Sequence, residues 1–180
     1  MTERDPQWVD AEGIGDVNSN EKGSGARFNS DKPAMELIPV RDVACLYHFK
    51  SDAPQEMIEL LYHLADFQET GDAKYLYEAM LSCGTSIRDS LESCARVFDY
   101  GRRKYAEWNW AKGMKWSIPL ACAVRHAMAI LDGEVIDPVE QKGSGLPHIG
   151  HLMCNLVMLS LYTRTFPEGN DLPSSLLICE

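Results

Sequence analysis

PQEMIELLYHLADFQE, residues 54–69, decides the fold class. Met57, Leu60, Leu61, Leu64 and Phe67 recur at three- and four-residue intervals, the spacing of one helix face. Pro54 suits a first helical turn and Gly71 a stop. The same reading extends outward. Residues 40–50 and 72–82 read as short helices. Residues 86–106 carry Ile87, Leu91, Cys94, Ala95, Val97 and Phe98 along one face. Residues 117–132, SIPLACAVRHAMAILD, have Ser117 as a cap, Pro119 in the first turn and Gly133 as the stop. Residues 147–165 start at Pro147 and form the last long helix. No alternating strand pattern of useful length and no internal repeat interrupts this series. The expected class is all-α: a bundle of four or more helices.

The chain has 180 residues, 45% hydrophobic and 24% charged, the composition of an ordinary globular domain. At that length roughly two-thirds of the unfolded surface can be buried without staples. The formal charge is −10, which argues against a phosphate-neutralising nucleic-acid binder. The dense basic cluster Arg102-Arg103-Lys104 is too short for a duplex footprint and sufficient for one polyphosphate. Six cysteines lack CxxC spacing and fall mostly in apolar helical patterns, which predicts free thiols in a reducing compartment and no cysteine zinc site. The longest apolar run falls short of a membrane span of ~20 residues, and the polar, acidic start does not resemble a secretory leader. Residues 1–24 are expected to be disordered or loosely held, residues 25–166 to form the domain, and residues 167–180 to be an irregular tail.

Four stretches carry chemistry. In SGLPHIGHLMCN (144–155), His148 and His151 share a helix face, with Asn155 one turn further on. They are either wet histidines near a helix start or one wall of a site. No HExxH and no adjacent His-Asp pair is present. In RHAMAILDGEVID (125–137), Arg125, His126 and Asp132 flank an apolar helix, and Glu134 and Asp137 follow its end. Carboxylates there oppose the helix dipole, so the stretch is either a solvated acidic loop or a place where a divalent cation compensates. In residues 91–113, Glu92 and Asp99 lie two helical turns apart, Lys104 ends a basic cluster, and Asn109 sits between Trp108 and Trp110. The basic end satisfies helix carbonyls or contacts phosphate; the aromatics lid the core or stack on a base. In GARFNSDKP (25–33), Arg27, Asn29 and Lys32 crowd together without forming a Walker A loop.

In this order, GARFNSDKPAMELIP (25–39), FDYGRRKYAEWNWAKG (98–113), RHAMAILDGEVIDP (125–138) and SGLPHIGHLMCNLVML (144–159) resemble the phage and bacterial family of dATP/dGTP diphosphohydrolases, related to the MazG-like all-α nucleotide pyrophosphohydrolases. The likeness covers residues 25–44 and roughly 88–165. It leaves 45–87 as a helical insertion that builds an oligomer contact or narrows the pocket. The resemblance implies hydrolysis of a purine deoxynucleoside triphosphate, dGTP or dATP, to the monophosphate and pyrophosphate. It also implies a role in shaping a phage nucleotide pool, with dGMP supply for 2-aminoadenine DNA as one form of it. MazG-like enzymes hold two or three Mg²⁺ or Mn²⁺ ions on a Glu-x-x-Glu helix and a Glu-x-x-Asp helix. Here His148 and His151 stand at the two acidic positions of the second, and His126 lies on the preceding helix.

The resemblance therefore implies Glu92, Asp132, Glu134, His148 and His151 as metal ligands, with Asp137 also available. It implies Glu92, His126 and His148 as catalytic groups. Arg27, Lys32, Lys104 and Arg125 would hold the polyphosphate, and Asn109 and Trp110 the base or sugar. Asn29 and Asn155 complete the substrate set. The expected partner is the nucleoside triphosphate, with no nucleic acid and no membrane. The expected assembly is a homodimer or homotetramer in the cytoplasm, the host's if the chain is phage-encoded. A second expectation, from the histidines at acidic positions, is a nucleotide-binding or regulatory bundle of weak catalytic power.

Overall fold

A computed structural model of the chain describes residues 15–27, 32–50, 52–84, 86–141 and 143–177. Their helices are α1 (Val40–His48), α2 (Gln55–Thr70), α3 (Ala73–Leu81), α4 (Ile87–Lys104), α5 (Ser117–Leu131), α6 (His148–Thr165) and the single turn α7 (Ser174–Leu177). No strand occurs among the described residues. The all-α expectation is met, and each predicted long helix is present.

Local chemistry sets the boundaries. Met57, Leu60, Leu61, Leu64 and Phe67 are the buried face of α2, and Gly71 closes the helix at φ 69°, a left-handed conformation open to glycine. The Ser86 side chain accepts the Asp89 N–H at 3.1 Å and caps α4. Ser117 does not cap α5. It is the first helical residue, and its N–H and hydroxyl both donate to the Asp171 carboxylate at 2.9 and 2.7 Å. The cap comes from the far end of the chain, which local sequence could not reveal.

α6 is the central element. It packs on α5, α4 and α3, while α2 packs on α1, α3 and α5. Leu152, Met153, Leu156, Leu159 and Tyr162 of α6 are fully buried, and so are His148 and Asn155. A helix covered on all sides shows little amphipathicity, which suits a centre. Gly150 permits the close approach of α6 to α4: a Cβ there would lie 2.7 Å from the Ser93 carbonyl oxygen.

Residues 45–87 are not an appendage. Leu60, Leu61, Leu64, Phe67 and Leu76 are fully buried in the common core, and Phe67 stacks on Trp116 of the α5 start at 5.9 Å. Each such side chain contributes about 1.5–3 kcal/mol relative to exposure. The buried Gln68 accepts the Val40 N–H at 2.8 Å, so α2 caps α1.

The first fourteen residues lie outside the described residues. Residues 15–24, expected to be loose, are tied down by hydrogen bonds: Gly23 N–H to Lys112 O at 2.7 Å, Gly25 N–H to Gly113 O at 2.9 Å, and Lys112 Nζ to Val17 O at 3.3 Å. Their Gly- and Ser-rich composition hid a backbone that pairs with another loop. The tail expected to be irregular carries a 3₁₀ turn at Pro167–Gly169 and then α7. No helix among the described residues is long and apolar enough to cross a membrane.

Candidate functional site

A cavity of about 130 Å³ opens between α4, α5, α6 and three loop segments. One loop, ahead of α1, brings Ala26, Arg27 and Lys32 to it; a second, between α4 and α5, brings Tyr105, Asn109, Trp110 and Met114; the third, between α5 and α6, brings Asp137 and Ser144. α4 contributes Val97, Phe98, Gly101 and Lys104, one face at helical spacing. α5 contributes His126, and α6 contributes His151, Cys154, Asn155 and Met158.

The cationic wall is held from behind. Asn109 is buried, and its amide bonds twice to one residue: its oxygen accepts the Ala26 N–H at 3.1 Å and its nitrogen donates to Ala26 O at 2.8 Å. That fixes the neighbouring Arg27, whose guanidinium donates to Met158 Sδ at 3.8 Å. No acidic side chain among the described residues pairs with Arg27. Burial pushes the Lys104 ammonium below its usual range, and the positive charges of Lys32 and Arg27 push it further. Three cations therefore crowd one cavity that holds a single carboxylate, Asp137, among its described lining residues. Like charges so close repel one another, and an anion placed between them relieves the repulsion.

The opposite wall is imidazole. The rings of His126 and His151 stack at 4.7 Å and 13°. His126 Nδ1 lies 2.8 Å from His148 Nδ1, and His148 Nε2 lies 3.3 Å from Glu134 Oε2. A carboxylate only accepts, so His148 Nε2–H donates to Glu134 and His148 Nδ1 accepts from His126 Nδ1–H. That assignment leaves His126 Nε2 as a bare lone pair. Burial holds His126 well below the usual imidazole range, reinforced by His151, His148 and the Arg27 and Lys32 charges. Burial likewise lowers His151 to about 4, against the opposing pull of Asp137. Both rings are neutral bases at pH 7. Ser144 Oγ lies 2.6 Å from His151 Nε2 and accepts the Leu146 N–H at 3.1 Å.

Several expected site residues are placed elsewhere. Glu92 is exposed and pairs with Arg88 at 3.0 Å. It lies off the α4 face that Val97, Phe98, Gly101 and Lys104 turn to the cavity, and Asp99 is likewise spent on Arg102 and Arg103 at 2.7 and 3.0 Å. Asp132 binds Lys50 at 2.8 Å and Tyr47 at 2.9 Å, and these partners hold its carboxyl below the usual range. Arg125 is absent from the described lining. It donates to Pro33 O at 3.1 Å and to Cys122 Sγ at 2.8 Å, bracing the loop that carries Lys32. Asn109 lines the cavity, and there it acts as a bracket for Ala26. Trp110 lines the cavity against Phe98, ring centroids 4.6 Å apart. Glu134 and His148 stand behind His126 rather than in the lining. Asn29 lies outside the described residues. No residue of 45–87 lines the cavity among those described, so that segment does not narrow it.

The Asn155 amide donates to His151 O at 2.7 Å, and its buried Oδ1 has no partner. Ser144 went unassigned in the sequence, although it was inside the quoted stretch. Its position shortly before a helix reads as capping, and only the fold brings it to His151.

These residues do not fit a cage for two or three Mg²⁺ or Mn²⁺ ions. Such ions take oxygen ligands, and the cavity offers imidazoles and one carboxylate. Among the described residues, no group of three or more His, Cys, Asp or Glu could hold a metal ion.

A family model described as dATP/dGTP diphosphohydrolase, N-terminal, matches residues 68–171. The match spans Lys104, His126, Asp137, Ser144, His148, His151 and Asn155, and begins within the segment expected to be an insertion; Arg27 and Lys32 precede it. No curated protein and no solved structure matches the chain.

Proposed function

We propose that this chain, which belongs to the dATP/dGTP diphosphohydrolase family, cleaves a purine deoxynucleoside triphosphate between its α and β phosphates in the cavity between Arg27 and the histidines. The products are the monophosphate and pyrophosphate. The observation that carries this is Arg27, a partly buried cation without an acidic partner among the described residues, sharing its cavity with Lys32 and Lys104. A triphosphate supplies the missing negative charge, and an arginine fork reads phosphate oxygens bidentately.

Phe98 and Trp110 offer aromatic faces to the purine. Neutral His126, with its Nε2 lone pair, takes a proton from the water that is consumed. A divalent ion carried in on the triphosphate needs no protein cage, since Mg²⁺ commonly binds through one or two carboxylates and substrate phosphates. The role proposed is control of a deoxynucleotide pool, with a phage pool as the setting. Exposed Leu37, Leu46 and Phe49 support a homo-oligomer, checked by light scattering.

That the described lining residues include one carboxylate favours one second reading, a bundle that binds the nucleotide and turns it over little or not at all. Chromatography of products from each deoxynucleoside triphosphate, with Mg²⁺ or Mn²⁺ and again with EDTA, separates the two. Monophosphate and pyrophosphate from dGTP or dATP are expected. Folded protein that binds these nucleotides yet releases no pyrophosphate would establish the second reading instead.

A further inference from the structure

We propose that Ser144 is the nucleophile at the α-phosphorus and His151 its general base, so that the reaction passes through a nucleotidyl-serine. This rests on the function proposed above and deepens it. A hydroxyl nucleophile is recognised by a base within hydrogen-bond reach and by a place for the reacting atom beside both. Ser144 Oγ and His151 Nε2 are 2.6 Å apart, and both line the cavity that holds Arg27, Lys32 and Lys104. The Leu146 N–H already donates to Ser144 Oγ, so the arrangement that leaves no hydroxyl proton unpaired has Ser144 donate to His151 Nε2.

The supports of this pair are in place. The Ser144 N–H donates to Asp137 Oδ2 at 2.7 Å, which pins the loop. Gly143 makes room for that carboxylate: a Cβ there would sit 2.7 Å from Asp137 Oδ1. Asp137 Oδ2 is also 3.7 Å from His151 Nε2, where it stabilises the imidazolium that forms on proton transfer. Asn155 donates to the His151 carbonyl and steadies the turn beneath the ring. A serine activated by a neutral imidazole needs no carboxylate cage.

The step balances as follows. In the first displacement the Ser144 Oγ–Pα bond forms and the bond from Pα to the α–β bridging oxygen breaks. The hydroxyl proton passes to His151 Nε2 and pyrophosphate leaves. In the second, a water oxygen bonds to Pα and the Oγ–Pα bond breaks. His151 returns its proton to Oγ, and the proton lost by water passes to His126 and on to solvent. The sum is triphosphate plus water giving monophosphate, pyrophosphate and one proton.

The experiment is stereochemical and uses the intact chain. A single diastereomer of the α-thiotriphosphate of dGTP or dATP, whichever is turned over, is hydrolysed in ¹⁸O-water and the product configuration determined. Two displacements give net retention, which is expected; inversion overturns the proposal while leaving the function standing. Absence of any turnover removes the function and this proposal with it. Ser144→Ala is expected to lower turnover about 10²-fold or more with nucleotide affinity kept, and an acid quench during turnover of α-³²P substrate should leave label on wild-type protein only. Full turnover by folded Ser144→Ala also overturns the proposal. If that variant fails to fold, the wild-type stereochemistry decides alone.

Discussion

The two walls of the cavity are built from different material. The cationic wall, Arg27, Lys32 and Lys104, is assembled from short loop segments and the end of α4. The imidazole wall stands on α5 and α6, in the core, and burial strips it of charge. The first wall is pre-charged for a ligand, while the second is poised to receive a proton. Burial makes the histidines bases, while Arg27 faces the cavity with no acidic partner among the described residues.

Changing one wall should alter chemistry and changing the other should alter binding. The largest effect is expected from His126→Ala, a fall in kcat of about 10²–10⁴-fold with nucleotide affinity little changed, measured by steady-state kinetics beside equilibrium binding. A collapse of affinity instead would erase the division between the walls. Next is Arg27→Met, which keeps the stem and removes the charge. Its Kd for the triphosphate should rise roughly 10- to 100-fold, the loss of about 1.5–3 kcal/mol from charged hydrogen bonds.

Asn109→Ala removes both bonds to Ala26 and should cost about 1–3 kcal/mol of stability, read by denaturant titration, with a smaller loss of affinity than Arg27→Met. Acid should act on the imidazole wall. His151 has a folded pKa of about 4, below its unfolded value, so the unfolded chain binds more protons between those values. Stability is therefore kept at neutral pH and lost as pH falls through the unfolded pKa towards about 4, with His126 adding in the same direction. Calorimetry at pH 7 and pH 5 should show the lower Tm at pH 5, and Asp137→Asn should steepen that fall. The smallest effect is expected from Glu92→Gln, with turnover within about twofold, as for surface changes generally. A severe loss there would return Glu92 to the site.

The helices were legible because their apolar spacing is local. The starts of α2 and α4 follow from Pro54, Ser86 and residues within one turn of them. What local pattern could not supply was long-range pairing. The α5 start is held by Asp171, and residues 15–24 by the 109–113 turn. In the site, Arg27, Lys104, His126 and His151 were singled out from the sequence and the fold gathers them around one cavity. Glu92 and Asp132 were singled out by charge alone, and helix phase with nearby cations sends them to solvent. Ser144 was passed over because a serine before a proline-started helix has an ordinary explanation.

The bracket at Asn109 has a kinetic consequence. The segment carrying Arg27 is held to the body by a few backbone bonds and by side-chain contacts of Asn109, Lys112, Met158 and Glu168, not by a packed helix. Such a segment opens by local unfolding, far more often than the bundle itself opens. Amides of Gly23, Gly25 and Ala26 should then exchange with deuterium sooner than those of α6, and a bound triphosphate should slow them selectively. The phosphate grip would behave as a latch whose closing is part of the affinity.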